Sequence, residues 1–592
     1  MTWTIATDPL KNLGLSAFMA ALPIFYLFWA LAVKRMKGHW AAISAVCLAI
    51  LIAIAGYGMP ANYALLATVN GMLFGLWPVA WIVVTAVFIY NLSVKTGQFE
   101  IIKNSLASIS DDRRMQALLI AFSFGAFLEG AAGFGTPVAI SAAMLAGLGF
   151  VPLYAAGICL LANTAPVAYG AIGIPIIVAG QVSGVDTMAI SKMVGRTLPF
   201  LSVLVPLYLV IVMSGWKKGL EVWPAALVSG GSFAVTQFLA SNYLGPMLPD
   251  ILASLVSIVC TVAFLKFRHP KESWRFEHEA ASQGREKLKY SGGQVFRAWA
   301  PFLLLSIFVA AWGISSIKGF LDYYTLFKFP VQGLHNMVIR DGKPMAAVYS
   351  FNLLSAAGTA ILLAGIFSIP VMGASLRTVW EVAASTLKTL RWALVTISTI
   401  LGFAYIMNFS GMAITLGQAF AATGKVFPFF AAFLGWIGVF VTGSDTSTNA
   451  LFGKLQEVTA SKIGIDPVIT VAANSSGGVC GKMVSPQSIA VATAATNLIG
   501  REGDIFRFTL KHSIILTAFI GVLAYLQAYV IRWIVPAYAK GAAAGAVATA
   551  AAKPDISSGA VYLAVALAVA VAITIVARVV GRGKEVFAAP AA

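Results

Sequence analysis

Sulfur ligands, histidines and charge are all scarce in this 592-residue sequence. The four cysteines, Cys47, Cys159, Cys260 and Cys480, lie far apart in apolar segments, which leaves neither a disulfide frame nor a metal knuckle. The five histidines, His39, His269, His278, His335 and His512, fall near span ends or in connectors, with no two at metal-ligand spacing on one predicted helix. Nucleotide signatures fail as well. GGVCGKM at 477–483 lacks the first glycine spacing of a phosphate loop and the Ser or Thr after its lysine. GFGTPV at 133–138 has no glycine at the sixth position and no βαβ context. No metal, haem, nucleotide or other cofactor is indicated, and no constellation of catalytic side chains marks an enzyme.

Charged residues make up 10% of the chain and apolar ones 59%. A soluble core of this length cannot hide so much apolar side chain, so most of it must face lipid or other helices. Apolar runs near bilayer-spanning length recur from Leu13 to Val580. The formal charge of +18 would suggest nucleic acid in a soluble protein. Here the basic residues sit in short connectors: Lys34-Arg35-Met36-Lys37, Arg113-Arg114, Lys217-Lys218 and the run from Lys266 to Lys289. That is the positive-inside pattern of a membrane protein, so no nucleic-acid partner is expected and the lipid bilayer is. Leu13–Val33 is too long for a signal-peptide core and reads as a retained first span.

With basic connectors cytoplasmic, the N-terminus lies outside. Trp77-Pro78 is expected to divide the overlong run Asn62–Val94. Residues 115–150 must enter and turn back, because one full crossing would put Lys217-Lys218 outside. The expected division is a first transmembrane half at 1–265, with a hairpin at 115–150 and a broken helix at 153–180, then a cytoplasmic linker at 266–296. A second half follows at 297–536, with spans at about 297–315, 346–369 and 392–408, a hairpin at 426–460 and a broken helix at 467–494. An alanine–glycine linker and an accessory C-terminal helix occupy 537–592, that helix ending in Arg578, Arg582 and Lys584.

The halves echo each other. Asn163, Gly170 and Pro175 recur at the same offsets as Asn474, Gly481 and Pro486, and Asn91-Leu92-Ser93 and Asn408-Phe409-Ser410 precede the two hairpins. By the charge-derived topology one copy enters from the cytoplasm and the other from outside. The fold expected is an all-α polytopic membrane protein of about 12–14 transmembrane helices in two inverted repeats with re-entrant hairpins, the architecture of secondary transporters.

Few side chains at membrane depth can carry chemistry. Glu129 has no basic neighbour in sequence, and desolvation disfavours its charged form, so it could bind and release a proton; it could also be a structural carboxyl held by backbone amides. Asp445, between Ser444 and the Thr446–Asn449 run, could hold a cation, hydrate a solute or cap a helix. Asn163-Thr164 and Asn474-Ser475-Ser476 precede glycine- or proline-rich breaks, where a half-helix N-terminus would offer N–H groups to a carboxylate. Helix packing also favours such small polar residues. Lys482 is the one basic residue in its broken segment, a counter-charge for an anion, a partner for an acid or a snorkelling side chain. Gln487 and Tyr169 stand behind these.

The sequence closely resembles the bacterial lactate permease family, which includes glycolate permeases. The motifs are GLWPVAW at 75–81, SVKTGQF at 93–99, GAFLEGAAGFGTPVAI at 125–140 and NTAPVAYGAIGIPI at 163–176. In the second half they are LGWIGVFVTGSDTSTNALF at 434–452, AANSSGGVCGKMVSPQSIA at 472–490 and FRFTLKHS at 506–513. The resemblance implies proton-coupled import of L-lactate, D-lactate and glycolate, small 2-hydroxymonocarboxylates, across the bacterial inner membrane. The Ala-Asn-Thr and Ala-Asn-Ser triplets at 162–164 and 473–475 look like the Ser-Asn-Thr signatures of a wider ion-transporter superfamily, with Ala in place of Ser. On this reading Asn163, Thr164, Ser444, Asn474, Ser475, Ser476 and Lys482 bind substrate, and Glu129 or Asp445 carries the proton. A sodium-coupled carboxylate carrier or a cation/proton antiporter is the alternative, and a homo-oligomer is left open.

Overall fold

Inside a bilayer there is no water to satisfy backbone N–H and C=O groups, so apolar runs close their hydrogen bonds within helices. The computed structural model describes residues 2–133, 135–268, 272–276, 290–340, 342–538 and 556–581. Among these, ten helices are long and apolar enough to cross a membrane, or eleven if the bent pair Pro152–Ala162 and Val167–Ser183 counts as one span. The chain is an all-α polytopic membrane protein.

The run Asn62–Val94 does divide at Trp77-Pro78. Ala61–Phe74 and Trp81–Lys95 are α-helical, and Trp77 between them has extended backbone (φ −139°, ψ 121°). One expected span is displaced. Val348–Asn352 pairs antiparallel with Leu326–Pro330, and the helix begins only at Ala357, ending at Met372. Tyr349 and Phe351 alternate with Ser350 and Asn352, the period-2 pattern of a strand. The expected linker at 541–552, Arg582 and Lys584 lie outside the described residues. Ile556–Val580 packs with Gly559 against Ser316 at one end and Val580 against Gly293 at the other.

Two sets of contacts give the faces. Arg114 bonds the Lys218 carbonyl (2.7 Å), Glu221 (3.0 Å) and the Glu272 carbonyl (3.1 Å), which gathers three basic connectors on one face. On the other, Trp3–Thr4 pairs parallel with Val338–Ile339, and Thr415 bonds the Thr7 carbonyl at 2.8 Å.

The first hairpin runs from Arg113 through Ala131, turns, and returns through Thr136–Gly147. The Arg113 guanidinium lies 5.7 Å from the Phe150 ring centre, so chain entry and exit share the basic face. The second hairpin, Phe427–Thr442 and Asp445–Lys462, opens on the opposite face. Near its end Thr459 bonds the carbonyl of Gly417, a few residues from the Thr415–Thr7 contact. Each hairpin is followed by a broken helix: Pro152–Ala162 with Gly170–Ser183, and Pro467–Lys482 with Pro486–Ala495. Gly477 packs on Ala432 and Gly481 on Trp436, so small residues let hairpin and broken helix approach backbone to backbone.

Candidate functional site

The breaks decide where the site forms. At the second hairpin tip Gly443 has φ +70°, a left-handed turn that a Cβ would strain, and Ser444 caps the next helix by accepting from the Ser447 N–H at 3.2 Å. At the first tip Gly135 is the cap residue of Thr136–Gly147. In the first broken helix Ala171 and Ile172 are left-handed (φ 46° and 60°), each worth roughly 1–3 kcal/mol of strain at a non-glycine position. In the second, Ser485 caps Pro486–Ala495 through the Ser488 N–H at 3.3 Å.

All four interruptions line one cavity of about 430 Å³. Gly135, Ala171, Ser444 and Gln487 reach it, one from the start of each half-helix, so four helix N-termini, the positive ends of their dipoles, border the same space. Glu129, Asp445 and Lys482 complete this polar wall. The opposite wall is mostly apolar, from Leu27 and Leu31 of the first span and Trp392 and Ile400 of Leu376–Ser410. It ends at Gly38–His39, next to the basic run 34–37, where the His39 ring stacks on Trp392 at 4.2 Å.

The acids are held differently. Glu129 Oε1 accepts from Lys482 Nζ at 2.6 Å, with both side chains buried. Lys482 is therefore paired with an acid rather than free for an incoming anion. Asp445 Oδ2 accepts from Ser475 (2.6 Å) and from Asn449 (3.2 Å), leaving Oδ1 buried and without a hydrogen-bond partner among the described residues. Asn449 also accepts from the Asn474 amide at 2.9 Å, and Asn474 in turn accepts from Gln456 at 3.1 Å.

Of the residues singled out from sequence, Glu129, Ser444, Asp445, Lys482 and Gln487 meet at the cavity. Asn474, Ser475 and Ser476 do not line it. They sit inside the unbroken helix Pro467–Lys482, because the expected break comes later, at 483–485 before Pro486. Ser475 and Asn474 serve the cavity indirectly by fixing Asp445 and Asn449. Asn163 ends the helix Pro152–Ala162 rather than starting a half-helix; it is buried with neither amide atom partnered among the described residues. Thr164 bonds the Leu161 carbonyl at 2.7 Å, and Tyr169 the Ser191 carbonyl at 2.7 Å. Asn449 is legible in the sequence as the i, i+4 neighbour of Asp445; Gln487 reaches the cavity because Ser485 caps the helix that begins at Pro486.

A family model described as L-lactate permease matches residues 16–531. The chain belongs to the L-lactate permease family. It is 53% identical to the L-lactate permease of Bacillus subtilis (strain 168) over 563 residues, 90% of this chain and all of that one. It is 52% identical to the glycolate permease GlcA of Escherichia coli (strain K12) over 552 residues, 90% of this chain and 99% of that one. Among solved structures, Neisseria gonorrhoeae MtrF overlaps 85% of this chain and 97% of its own at 14% identity, with a TM-score of 0.48. This permease is thus a multi-pass transporter of the bacterial inner membrane and not an enzyme. Its C-terminal helix, Ile556–Val580, lies beyond the matched region.

Proposed function

We propose that the cavity binds a small 2-hydroxymonocarboxylate, L-lactate or glycolate, and that the protein imports it together with a proton. The observation that carries this is the convergence of four half-helix N-termini on one cavity. A carboxylate accepts from such N–H groups without needing a bare cation, and the dipoles favour its charge. The substrate hydroxyl has Ser444 and Gln487 as partners, and the apolar wall takes the methyl of lactate. One methyl is discriminated only weakly by an apolar surface, so both acids are accepted, as is D-lactate. The names of the two relatives, L-lactate permease and glycolate permease, support the same substrate class.

The two halves, 1–265 and 297–536 with the linker 266–296 between them, act as an inverted pair whose hairpins and broken helices move together against the remaining spans. The cavity wall ending at His39, beside the cytoplasmic basic run, corresponds to the inward-facing state. Coupling runs through the site's acids, of which Glu129 and Asp445 line the cavity.

Radiolabelled L-lactate uptake into proteoliposomes tests the reading. Accumulation is expected under an inward proton gradient and not under a sodium gradient at equal pH. Absence of accumulation with the proton gradient removes proton symport; absence of lactate exchange removes the substrate.

A further inference from the structure

Asp250 is a third acid at this site, and it has a different standing from the other two. It lies in the first turn of Pro249–Phe267, is 1% exposed, and neither of its carboxylate oxygens has a hydrogen-bond partner among the described residues. It is packed directly behind Glu129. A Cβ built on Gly130 would come within 2.8 Å of the Asp250 Cβ, so only glycine at 130 lets the two acid-bearing helices approach this closely. The ionisable groups that face it are Glu129 and Lys482 across the hairpin and Tyr169 on the turn of the first broken helix.

The same buried face of that helix carries Ser254, Ser257 and Thr261. Ser254 and Ser257 have ordinary helix-packing partners: Ser254 bonds the Ile251 carbonyl at 2.9 Å and Ser257 the Ser229 carbonyl at 2.9 Å. A carboxyl with no partner is different. An unpaired buried charge is expensive, and an ionisable residue kept at membrane depth without one needs a function.

We infer that Asp250 is the residue that takes up the coupled proton, acting on substrate binding through Glu129 and Lys482. This rests on the substrate reading above. Of the three acids, Glu129 has a lysine in direct contact to hold its charge and Asp445 has two donors, whereas Asp250 has no hydrogen-bond donor among the described residues. With Asp250 ionised, one lysine must serve two carboxylates, and the trio carries one net negative charge behind an anion site. When a proton from the outer water bonds to an Asp250 oxygen, the trio becomes neutral, and Glu129 and Lys482 form a self-contained pair. A substrate carboxylate then enters without like-charge repulsion. Proton and anion each favour the other's binding by the same factor, so the two load together, and symport follows where the carrier reorients with both bound or with neither. Release of the proton to the cytoplasm restores the negative trio and expels the anion. Asp250 is a positioning residue in this scheme: it does not line the cavity.

The test uses the full-length protein in proteoliposomes, with radiolabelled L-lactate followed in two assays: exchange at equal pH on both sides, and accumulation under an inward proton gradient. Asp250→Asn, a fixed neutral side chain, is expected to keep exchange, lose accumulation and make lactate affinity independent of pH. Asp250→Glu is expected to restore accumulation with a displaced pH profile. Accumulation by Asp250→Asn at the wild-type level would overturn the inference. So would parallel loss of exchange and accumulation, the signature of a packing role. If Asp250→Asn yields no folded protein, an unaltered pH profile in Asp250→Glu overturns it instead. Failure of the wild type to exchange lactate would sink the substrate reading, and that control is independent of either variant.

Discussion

Lys482 and Glu129 are 353 positions apart in the chain and 2.6 Å apart in space. The contact joins the end of the helix Pro467–Lys482 to the first hairpin near its tip, so segments far apart in the chain share one ion pair at the wall of one cavity. Both side chains are buried, and removing one leaves the other's charge stranded.

Lys482→Met is therefore expected to destabilise the protein by about 3–5 kcal/mol, the cost of a buried carboxylate left without its partner. The double variant Glu129→Gln/Lys482→Met should recover most of that loss, because no charge is then stranded. Thermal unfolding of the detergent-solubilised variants checks this; a double variant no more stable than Lys482→Met would mean the pair is not the contact that matters.

Gln487 and Ser444 should separate binding from folding. Gln487→Ala removes an amide side chain that lines the cavity and is expected to raise the KM for L-lactate by up to about tenfold, the upper worth of one neutral hydrogen bond, with little change in melting temperature. Ser444→Ala also removes a helix cap and should lose about 1 kcal/mol of stability besides weakening binding. Uptake kinetics beside melting curves distinguish the two, and an unchanged KM in Gln487→Ala would remove it from the site.

Asn474 should behave oppositely. Its amide ties Asn449 to Gln456 inside the helix pair, so Asn474→Ala is expected to cost about 1–3 kcal/mol for the buried groups left unpaired. Lactate KM, measured well below the lowered melting point, should change far less than in Gln487→Ala. A tenfold rise in KM with unchanged stability would instead make Asn474 a substrate ligand.

On the face that gathers the basic connectors, Arg114 bonds Asp112, Glu221 and the Glu272 carbonyl. Arg114→Ala should release the segment 272–276 and speed tryptic cleavage after Arg275. Hydrogen bonds from Lys218 and Arg114 hold the Glu221 carboxyl below its ordinary range. A carboxyl lowered on folding contributes fully above its unfolded value, so this tie is complete at neutral pH and is lost as pH falls through the lowered value. Cleavage of Arg114→Ala at the wild-type rate would show that other contacts hold the connector.

The sequence by itself determined the membrane class, the interruption at Trp77-Pro78 and the stretches that break. These follow from hydropathy, basic connectors, glycine and proline, which act over a few residues of chain. It misplaced the start of the helix at Ala357, because an apolar alternation in strand Val348–Asn352 reads as span when only length is counted. The tertiary structure alone decided which polar groups meet. Whether a lysine serves as an anion's counter-charge or an acid's partner depends on which half-helices dock. That docking put Lys482 on Glu129, turned Asn474 and Ser475 into supports for Asp445, and left Asp250 a buried carboxyl with no hydrogen-bond partner among the described residues.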